Sequence, residues 1–119
     1  MDRPLGTSVL ILPYRHPVVL AKMLATIDQL SGGRLIVGVG GGWMTEEFAA
    51  LGTPYAERGK VSDECLRVMR ETWTKEAVSF DGQYTSFHDM QVSPMPAETP
   101  SDLGRRCQPP RPSTRCGVW

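Results

Sequence analysis

Three consecutive glycines, Gly40 to Gly42, directly follow an apolar run and are the residues best suited to admit a ligand. Glycine has no Cβ, so a bound molecule can approach its backbone closely. The loop is not a dinucleotide-binding fingerprint, because Gly38 and Gly40 begin a G-x-G pattern but Trp43 stands where the third glycine belongs. It is not a P-loop, since no Gly-Lys-Ser/Thr follows. Two interpretations stay open: a cofactor-contacting loop, or a tight strand-to-helix turn that binds nothing.

His16 is the second polar candidate, and Pro17 after it is typical of a first helical turn. A histidine here could hydrogen-bond a cofactor or act as an acid or base, but the sequence favours a capping or loop residue. Glu46 and Glu47 fall in the first turn of a later predicted helix, where acidic side chains complement the helix dipole. A solvated or ion-paired helix face is expected for three further charged residues: Arg58, Asp63 and Glu64.

No cluster of nucleophilic or metal-ligating residues is visible in the sequence. It contains no Cys-x-x-Cys pair, and its three cysteines are Cys65, Cys107 and Cys116. An odd number of cysteines argues against a disulfide framework. We therefore assign no metal ligand, and His16 is the one candidate for a catalytic role. Any chemistry must come from a bound cofactor.

A strand–helix–strand order is predicted to position these residues. Residues 5–14 and 34–40 are short apolar runs typical of strands that are buried on both faces of a parallel sheet. Between them, apolar residues recur at helical spacing, and the helix is expected to end at Gly32 and Gly33. The predicted buried face of this helix consists of Leu20, Met23, Leu24, Ile27 and Leu30. Ligands of parallel α/β folds bind beyond the carboxyl ends of the strands, where the glycine loop is expected.

Two helices, a hairpin and an extended segment are predicted after the glycine loop. Residues 44–52 suit a short helix and residues 57–76 a longer one. One face of the longer helix carries Val61, Cys65, Leu66, Met69 and Trp73. The sequence alternates around Asp81-Gly82, a strong hairpin signal, and residues 90–96 suggest a further extended segment.

The overall composition excludes several classes of function. The chain has 119 residues, which allows one domain at most. Lys plus Arg equals Asp plus Glu, at 13 each, so no basic surface is available for nucleic acid. No apolar run approaches the roughly 20 residues of a membrane helix, and the first ten residues lack the pattern of a secretory signal. We expect a cytoplasmic protein with no nucleic-acid or membrane partner; its oligomeric state is left open.

The stretch "LGTSVLILPYRHPVVLAKMLATIDQLSGGRLIVGVGGGWMTEEFAALG", followed by "RGKVSDECLRVMRETWT", "VSFDGQYTSF" and "VSPMP", closely resembles the bacterial luciferase-like family. The family comprises flavin- or deazaflavin-dependent oxidoreductases and monooxygenases, and the resemblance covers about Leu5 to Pro96. It implies an α/β fold of the (β/α)8 TIM-barrel type. This chain would be a fragment comprising about strands 3 and 4 with their helices, plus a small hairpin.

The resemblance also implies a site. In the family the third strand often ends in a non-proline cis peptide behind the isoalloxazine ring, which here would be Ser8-Val9. The implied cofactor-binding residues are Ser8, Val9, Gly40, Gly41 and Gly42. The deazaflavin coenzyme (F420 type) is expected first and FMN is the alternative, serving hydride transfer or oxygen activation on an unknown small organic substrate. Some deazaflavin-dependent sugar dehydrogenases carry an acid just after this loop, but this chain has Trp43, so their acid/base scheme is not transferred.

The length and the C-terminal residues raise a separate question. A full barrel takes about 250 residues, so residues 1–96 are expected to form a partial barrel domain. Residues 97–119 are rich in Pro, Arg, Ser and Cys and are expected to be disordered. The codons for residues 100–107, shifted by one nucleotide, can also encode Pro-Ile-Trp-Val-Gly-Gly, a phrase expected on the family's fifth strand, so a frameshifted tail is a second hypothesis. The isolated chain is expected to have weak or no activity and to aggregate. The alternative function is a non-catalytic remnant or interaction module.

Overall fold

Two parallel strand pairs form the sheet in the computed structural model, which describes residues 3–97. The first apolar run gives β1 (Leu5–Gly6) and β2 (Leu10–Ile11), and the second gives β3 (Leu35–Ile36) and β4 (Val39–Gly40). β1 pairs with β3 and β2 pairs with β4, both in parallel. The predicted strand–helix–strand crossover is therefore confirmed, although each predicted strand is interrupted in its middle.

Where the strands are interrupted, hydrogen bonds between Thr7 and Gly38 hold the two chain segments together. Thr7 Oγ1 donates to the carbonyl of Gly38 and accepts from its N–H, each at 3.0 Å. The N–H of Leu10 also donates to the Gly38 carbonyl at 2.9 Å. A Cβ at Gly38 would collide with the carbonyl of Thr7, so only glycine fits this position. The two strand pairs therefore act as one continuous ribbon.

Helix α1 (Pro17–Ser31) follows a 3-10 turn at Leu12–Tyr14 and crosses back over the sheet. It ends at Gly32, which adopts the left-handed conformation (φ 67°), as predicted. The predicted buried face is wrong in part, because Met23, Ile27 and Leu30 are exposed. The buried face instead consists of Leu20, Ala21, Leu24, Ala25 and Asp28. Small alanines on this face let the helix approach its neighbours closely.

Helices α2 (Thr45–Leu51) and α3 (Arg58–Thr74) follow the glycine loop, as predicted. α3 packs beside α1, and the indole N–H of buried Trp73 donates to the carbonyl of Ala21 at 3.0 Å. The core combines α1, α3 and one face of the strands: Leu12, Leu20, Ala21, Leu24, Ala25, Leu35, Val37, Val39, Cys65, Leu66, Met69 and Trp73.

The prediction that the strands are buried on both faces is wrong for this chain. Leu35, Val37 and Val39 are buried under the helices, whereas Ile36 between them is 45% exposed. Leu5 is exposed to the same extent. The physical reason is that the helices cover one face of the ribbon, and no other element within residues 3–97 covers the opposite face.

The predicted hairpin is present as β5 (Val78–Asp81) and β6 (Ser86–Met90), paired antiparallel. Its turn is held by Glu64, whose buried carboxylate accepts three backbone N–H groups. The donors and distances are Gln83 at 2.8 Å, Tyr84 at 2.9 Å and Thr85 at 2.7 Å. The expectation that Glu64 is solvated or ion-paired is therefore wrong. The three hydrogen bonds from the turn offset the desolvation free energy of burying its carboxylate. Asp63 is exposed, as expected.

Residues 91–97 return to the end of α1 without regular structure. The side-chain amide of Gln29 donates to the carbonyl of Met95 at 2.6 Å, and the N–H of Ala97 donates to Asp28 Oδ2 at 3.0 Å. Asp28 is fully buried. The predicted tail lies outside the described residues from position 98 onward. Within residues 3–97, no helix is both long and apolar enough to cross a membrane.

Candidate functional site

The pairing of β2 with β4 brings the cis Ser8-Val9 peptide, just before β2, close to the start of the glycine loop. Ile11 and Gly40 are register partners at the carboxyl ends of these parallel strands. The side chain of Val9 lies over Gly40, with Cγ1 2.7 Å from the position that a Cβ of Gly40 would take. The Ser8-Val9 peptide is cis, as the family resemblance implied. Both Ser8 and Val9 are exposed, and Val9 presents an apolar surface that is 51% exposed.

The three glycines of the loop have different neighbours. At Gly40 the space of a Cβ is taken by Val9. At Gly42, which has a φ of +82°, it is taken by the ring of Phe48 at 2.8 Å and by Ile11. At Gly41 the nearest atom is Ser62 Oγ at 3.8 Å, an ordinary contact. The protein's own packing therefore accounts for glycine at positions 40 and 42, whereas a Cβ at Gly41 would fit without a collision.

His16 caps α1, which agrees with the capping or loop residue favoured by the sequence. Its Nδ1 accepts the N–H of Val18 at 3.3 Å. With Nδ1 used as an acceptor, a neutral His16 carries its proton on Nε2. The exposed imidazole can therefore donate a hydrogen bond from Nε2 but cannot accept one there.

Sequence reasoning missed a hydrogen bond between Tyr14 and Glu47 at this edge. The Tyr14 hydroxyl donates to Glu47 Oε2 at 2.6 Å. Desolvation, together with the hydrogen bond to Glu47 and its negative charge, raises the pKa of Tyr14 to about 12. The available signal was position, because Tyr14 is the last residue of the first predicted strand run and Glu47 lies in the first turn of the helix that follows the second run. Glu46 and Glu47 do lie in the first turn of α2, as predicted.

Trp43 directly follows the glycine loop, and Arg58 begins α3 further along the chain. Trp43 is 62% exposed beside the glycines, so an aromatic surface stands next to the loop. Arg58 stacks on the ring of Tyr55, with 4.0 Å from Cζ to the ring centroid, and the expectation of a solvated or ion-paired Arg58 is replaced by this cation–π contact. Within the described part of the chain, no group of three or more His, Cys, Asp or Glu residues could hold a metal ion.

The residues at this edge fit one side of a flat heteroaromatic cofactor. Val9 offers an apolar contact surface, Ser8 offers a hydroxyl, and Gly41 leaves its backbone accessible. Backbone groups and a few polar side chains around an apolar surface are the usual composition of a cofactor site. The parallel strand–helix–strand crossover defines an α/β protein, and its candidate site lies beside the carboxyl end of β4.

Comparison with known proteins identifies the family. The family model described as luciferase-like monooxygenase matches residues 4–112, so the chain belongs to this family. The FMNH2-dependent dimethylsulfone monooxygenase of Pseudomonas putida is 41% identical over 87 residues, which are 71% of this chain and 24% of that protein. The F420-dependent glucose-6-phosphate dehydrogenase of Intrasporangium calvum is 39% identical over 100 residues, covering 79% of this chain and 30% of that protein.

A solved structure confirms the fold. The monooxygenase RslO1 from Streptomyces bottropensis superposes with a TM-score of 0.78 at 31% identity, covering 82% of this chain and 30% of that one. The expected α/β fold of a partial luciferase-like TIM barrel is therefore confirmed. The chain spans about a quarter to a third of the length of these relatives.

Proposed function

We propose that this chain forms one side of the binding site for a reduced flavin-type cofactor in a luciferase-like oxidoreductase or monooxygenase. The observation that carries the proposal is the contact of Val9, in the cis Ser8-Val9 peptide just before β2, with Gly40 at the carboxyl end of β4, where the glycine loop begins. Ligands of parallel α/β barrels bind at this edge. Membership of the luciferase-like family supports a flavin-type ring as the ligand.

Each residue has a separate part in this proposal. Val9 packs against the ring and excludes water from one of its faces, and the Gly41 backbone comes close to the ring edge. Ser8 and the Nε2 of His16 offer hydrogen-bond donors at the mouth of the site. The cofactor itself, once bound, supplies hydride transfer or the activation of oxygen, and the protein contributes position and desolvation.

The deazaflavin coenzyme is our first choice of cofactor and FMN the alternative. Relatives named for each are similarly close, at 41% identity for an FMNH2-dependent enzyme and 39% for an F420-dependent one. Both molecules present a planar tricyclic ring to the protein, so the apolar surface of Val9 suits either. The substrate is a small organic molecule whose remaining contacts would come from parts of the barrel beyond those matched here.

A second candidate function is a non-catalytic remnant or interaction module. It is favoured by the exposed apolar residues on the open face of the strands, including Ile36 and Val9. Under this alternative the glycine loop is a tight turn, which agrees with the packing of Val9 on Gly40 and of Phe48 on Gly42. The chain would then bind neither cofactor.

Titration with reduced and oxidised FMN and with the deazaflavin coenzyme, followed by cofactor fluorescence, distinguishes the two functions. We expect saturable binding, weakened by Gly41→Val because its branched side chain would stand between the loop backbone and the ring. Gly59→Ala is the matched control, since Gly59 lies in α3 with no atom within 4 Å of its Cβ position. Equal binding by the Gly41→Val variant, or no binding of either cofactor by the unaltered chain, would contradict the proposed function.

A further inference from the structure

Tyr14 and Glu47 connect the two chain segments that follow the paired strands. Tyr14 ends the 3-10 turn after β2, and Glu47 lies in α2 after the glycine loop. We propose that their 2.6 Å hydrogen bond is a positioning contact that fixes the glycine loop, Gly40–Gly42, against the strand ends and so sets the affinity for the cofactor. The statement about affinity rests on the proposed function, whereas the statement about the loop does not.

Phe48 transmits the position of this pair to the loop. Its buried ring fills the space beside Gly42, with Cε2 2.8 Å from the Cβ position of that glycine. The same ring meets Tyr14 edge-on, at 5.0 Å between centroids and 72° between planes. Glu47 and Phe48 are consecutive, so a shift of α2 that breaks the Tyr14 hydrogen bond also moves the ring from Gly42. The hydrogen bond to Glu47 and the ring contact with Phe48 therefore both join Tyr14 to α2.

Among residues 3–97, few contacts hold α2 in place, so the loss of one of them should affect its position. It has seven residues, and Phe48 is its one buried side chain. Its far end is joined to the same 3-10 turn through Thr53, whose Oγ1 donates to the carbonyl of Pro13 at 3.4 Å. Its near end is joined through Tyr14 and Glu47. Removing the near connection leaves the helix free to pivot about Thr53, and this motion would release the glycine loop.

Substitutions at Tyr14 and Glu47 can distinguish a positioning role of the hydrogen bond from a simple loss of packing. Tyr14→Phe keeps the aromatic ring on Phe48 and removes the donor alone. Glu47→Ala removes the acceptor, whereas Glu47→Gln keeps an amide oxygen that can still accept from the tyrosine hydroxyl. Tyr55→Phe is the matched control. Tyr55 also meets Phe48 edge-on, at 5.2 Å between ring centroids, so this change removes a hydroxyl from the same aromatic cluster without altering Glu47 or Tyr14.

Two measurements on the full chain test the proposal: amide hydrogen exchange of residues 40–43 without cofactor, and the Kd of FMN and of the deazaflavin coenzyme. We expect Tyr14→Phe and Glu47→Ala to accelerate exchange in the loop and to raise the Kd by roughly three- to tenfold, as the loss of one ordinary hydrogen bond would. The double variant should be no worse than the weaker-binding single variant. In Glu47→Gln and Tyr55→Phe, the exchange rates and the Kd should stay within about twofold of those of the unaltered chain. A twofold change in Kd is small, because a tenfold change corresponds to about 1.4 kcal/mol.

Each other outcome has a definite meaning. The positioning role would be overturned if Tyr14→Phe left the exchange of the loop unchanged. It would also be overturned if Glu47→Gln accelerated exchange as much as Glu47→Ala does, or if Tyr55→Phe had the same effect as Tyr14→Phe. Altered exchange with an unchanged Kd would overturn the claim about affinity and leave the loop contact standing. If the unaltered chain binds neither cofactor, the proposed function fails, and the exchange pattern still decides whether Tyr14 and Glu47 hold the loop.

Discussion

The side chain of Val9 occupies the space beside Gly40 in which a Cβ atom would otherwise lie, at 2.7 Å from that position. This contact joins the end of the first strand run to the start of the glycine loop. It assigns a packing reason to Gly40, whereas Gly41 next to it has no such neighbour. A side chain at position 40 would therefore collide with Val9, whereas one at position 41 would not.

Gly40→Ala should consequently destabilise the chain more than Gly41→Ala does. The new methyl group at position 40 must displace Val9, and we expect a loss of about 1–3 kcal/mol in the free energy of unfolding, as for other overpacked sites. At position 41 the methyl meets an ordinary contact, so the change should stay below about 1 kcal/mol. Urea denaturation monitored by circular dichroism measures both.

Gly42→Ala serves as the positive control for this comparison. Its φ of +82° and the nearby ring of Phe48 make an alanine unfavourable for two independent reasons. If Gly41→Ala destabilised the chain as much as Gly40→Ala does, the conclusion that a Cβ fits at Gly41 without a collision would be wrong.

Much of the fold follows from local sequence signals. Pro17 and Gly32 mark the ends of α1, and the Asp81-Gly82 pair marks the hairpin, because their backbone preferences act over a few residues. The buried face of α1 could not be derived in the same way. Large apolar residues occur all around this helix, and the choice of Ala21 and Ala25 as its inner face depends on how closely α3 packs against it.

The site shows the same division between local and tertiary information. The glycine loop and Ser8-Val9 were placed from their order along the chain and from the family resemblance. Tyr14 and Glu47 are 33 positions apart, and no periodicity links them. Glu64 was assigned to the surface because charged helix residues usually lie there, and its three donors become visible only when the hairpin turn folds back along α3.

Glu64→Ala should unfold the hairpin turn selectively and lower the free energy of unfolding by about 2–3 kcal/mol. The substitution leaves the N–H groups of Gln83, Tyr84 and Thr85 without their acceptor, and unsatisfied donors of this kind cost about 1–3 kcal/mol. Asp63→Ala, on the exposed neighbouring residue, is the control and should change stability by no more than about 0.5 kcal/mol. Denaturation gives the total loss, and hydrogen exchange of residues 82–85 locates it. Equal losses in the two variants would contradict the anchoring role of Glu64.

Tyr84 should make the stability of the chain depend on pH in the alkaline range. Its hydroxyl donates to Glu57 Oε2, and this hydrogen bond, followed by desolvation and the charges of Glu57 and Glu64, raises the pKa of Tyr84 from 10.0 to about 12. Because the pKa is higher in the folded chain, the contribution is fully present below about pH 10. It is lost as the pH rises through about 12.

Absorbance titration of tyrosinate at 295 nm tests this dependence. Tyr84→Phe should remove one ionisation near pH 12. Glu57→Gln should shift that ionisation to lower pH, because the carboxylate charge that opposes formation of tyrosinate is gone. Unfolding midpoints in urea at pH 9 and pH 11.5 should differ less in Tyr84→Phe than in the unaltered chain. An ionisation of Tyr84 near its ordinary value in the folded chain would refute the prediction.

The outer side of α1 should cause this chain to self-associate. Val19, Met23, Ile27 and Leu30 follow one another at intervals of four, four and three residues, so they form one apolar stripe along the helix. Leu30 is 84% exposed. Contiguous exposed apolar surface of this kind favours association in water. We expect the unaltered chain to form oligomers or aggregates as its concentration rises in sedimentation velocity or light scattering.

Met23→Lys combined with Leu30→Lys should reduce this association while changing the free energy of unfolding by no more than about 0.5 kcal/mol per substitution, because both side chains are largely in solvent already. Ala49→Lys with Ala77→Lys adds the same charge at exposed positions away from the stripe and controls for net charge alone. If the control pair reduces association equally, charge repulsion is the cause. If neither pair reduces it, the open strand face becomes the next surface to test, since Leu5, Val9 and Ile36 are also exposed there.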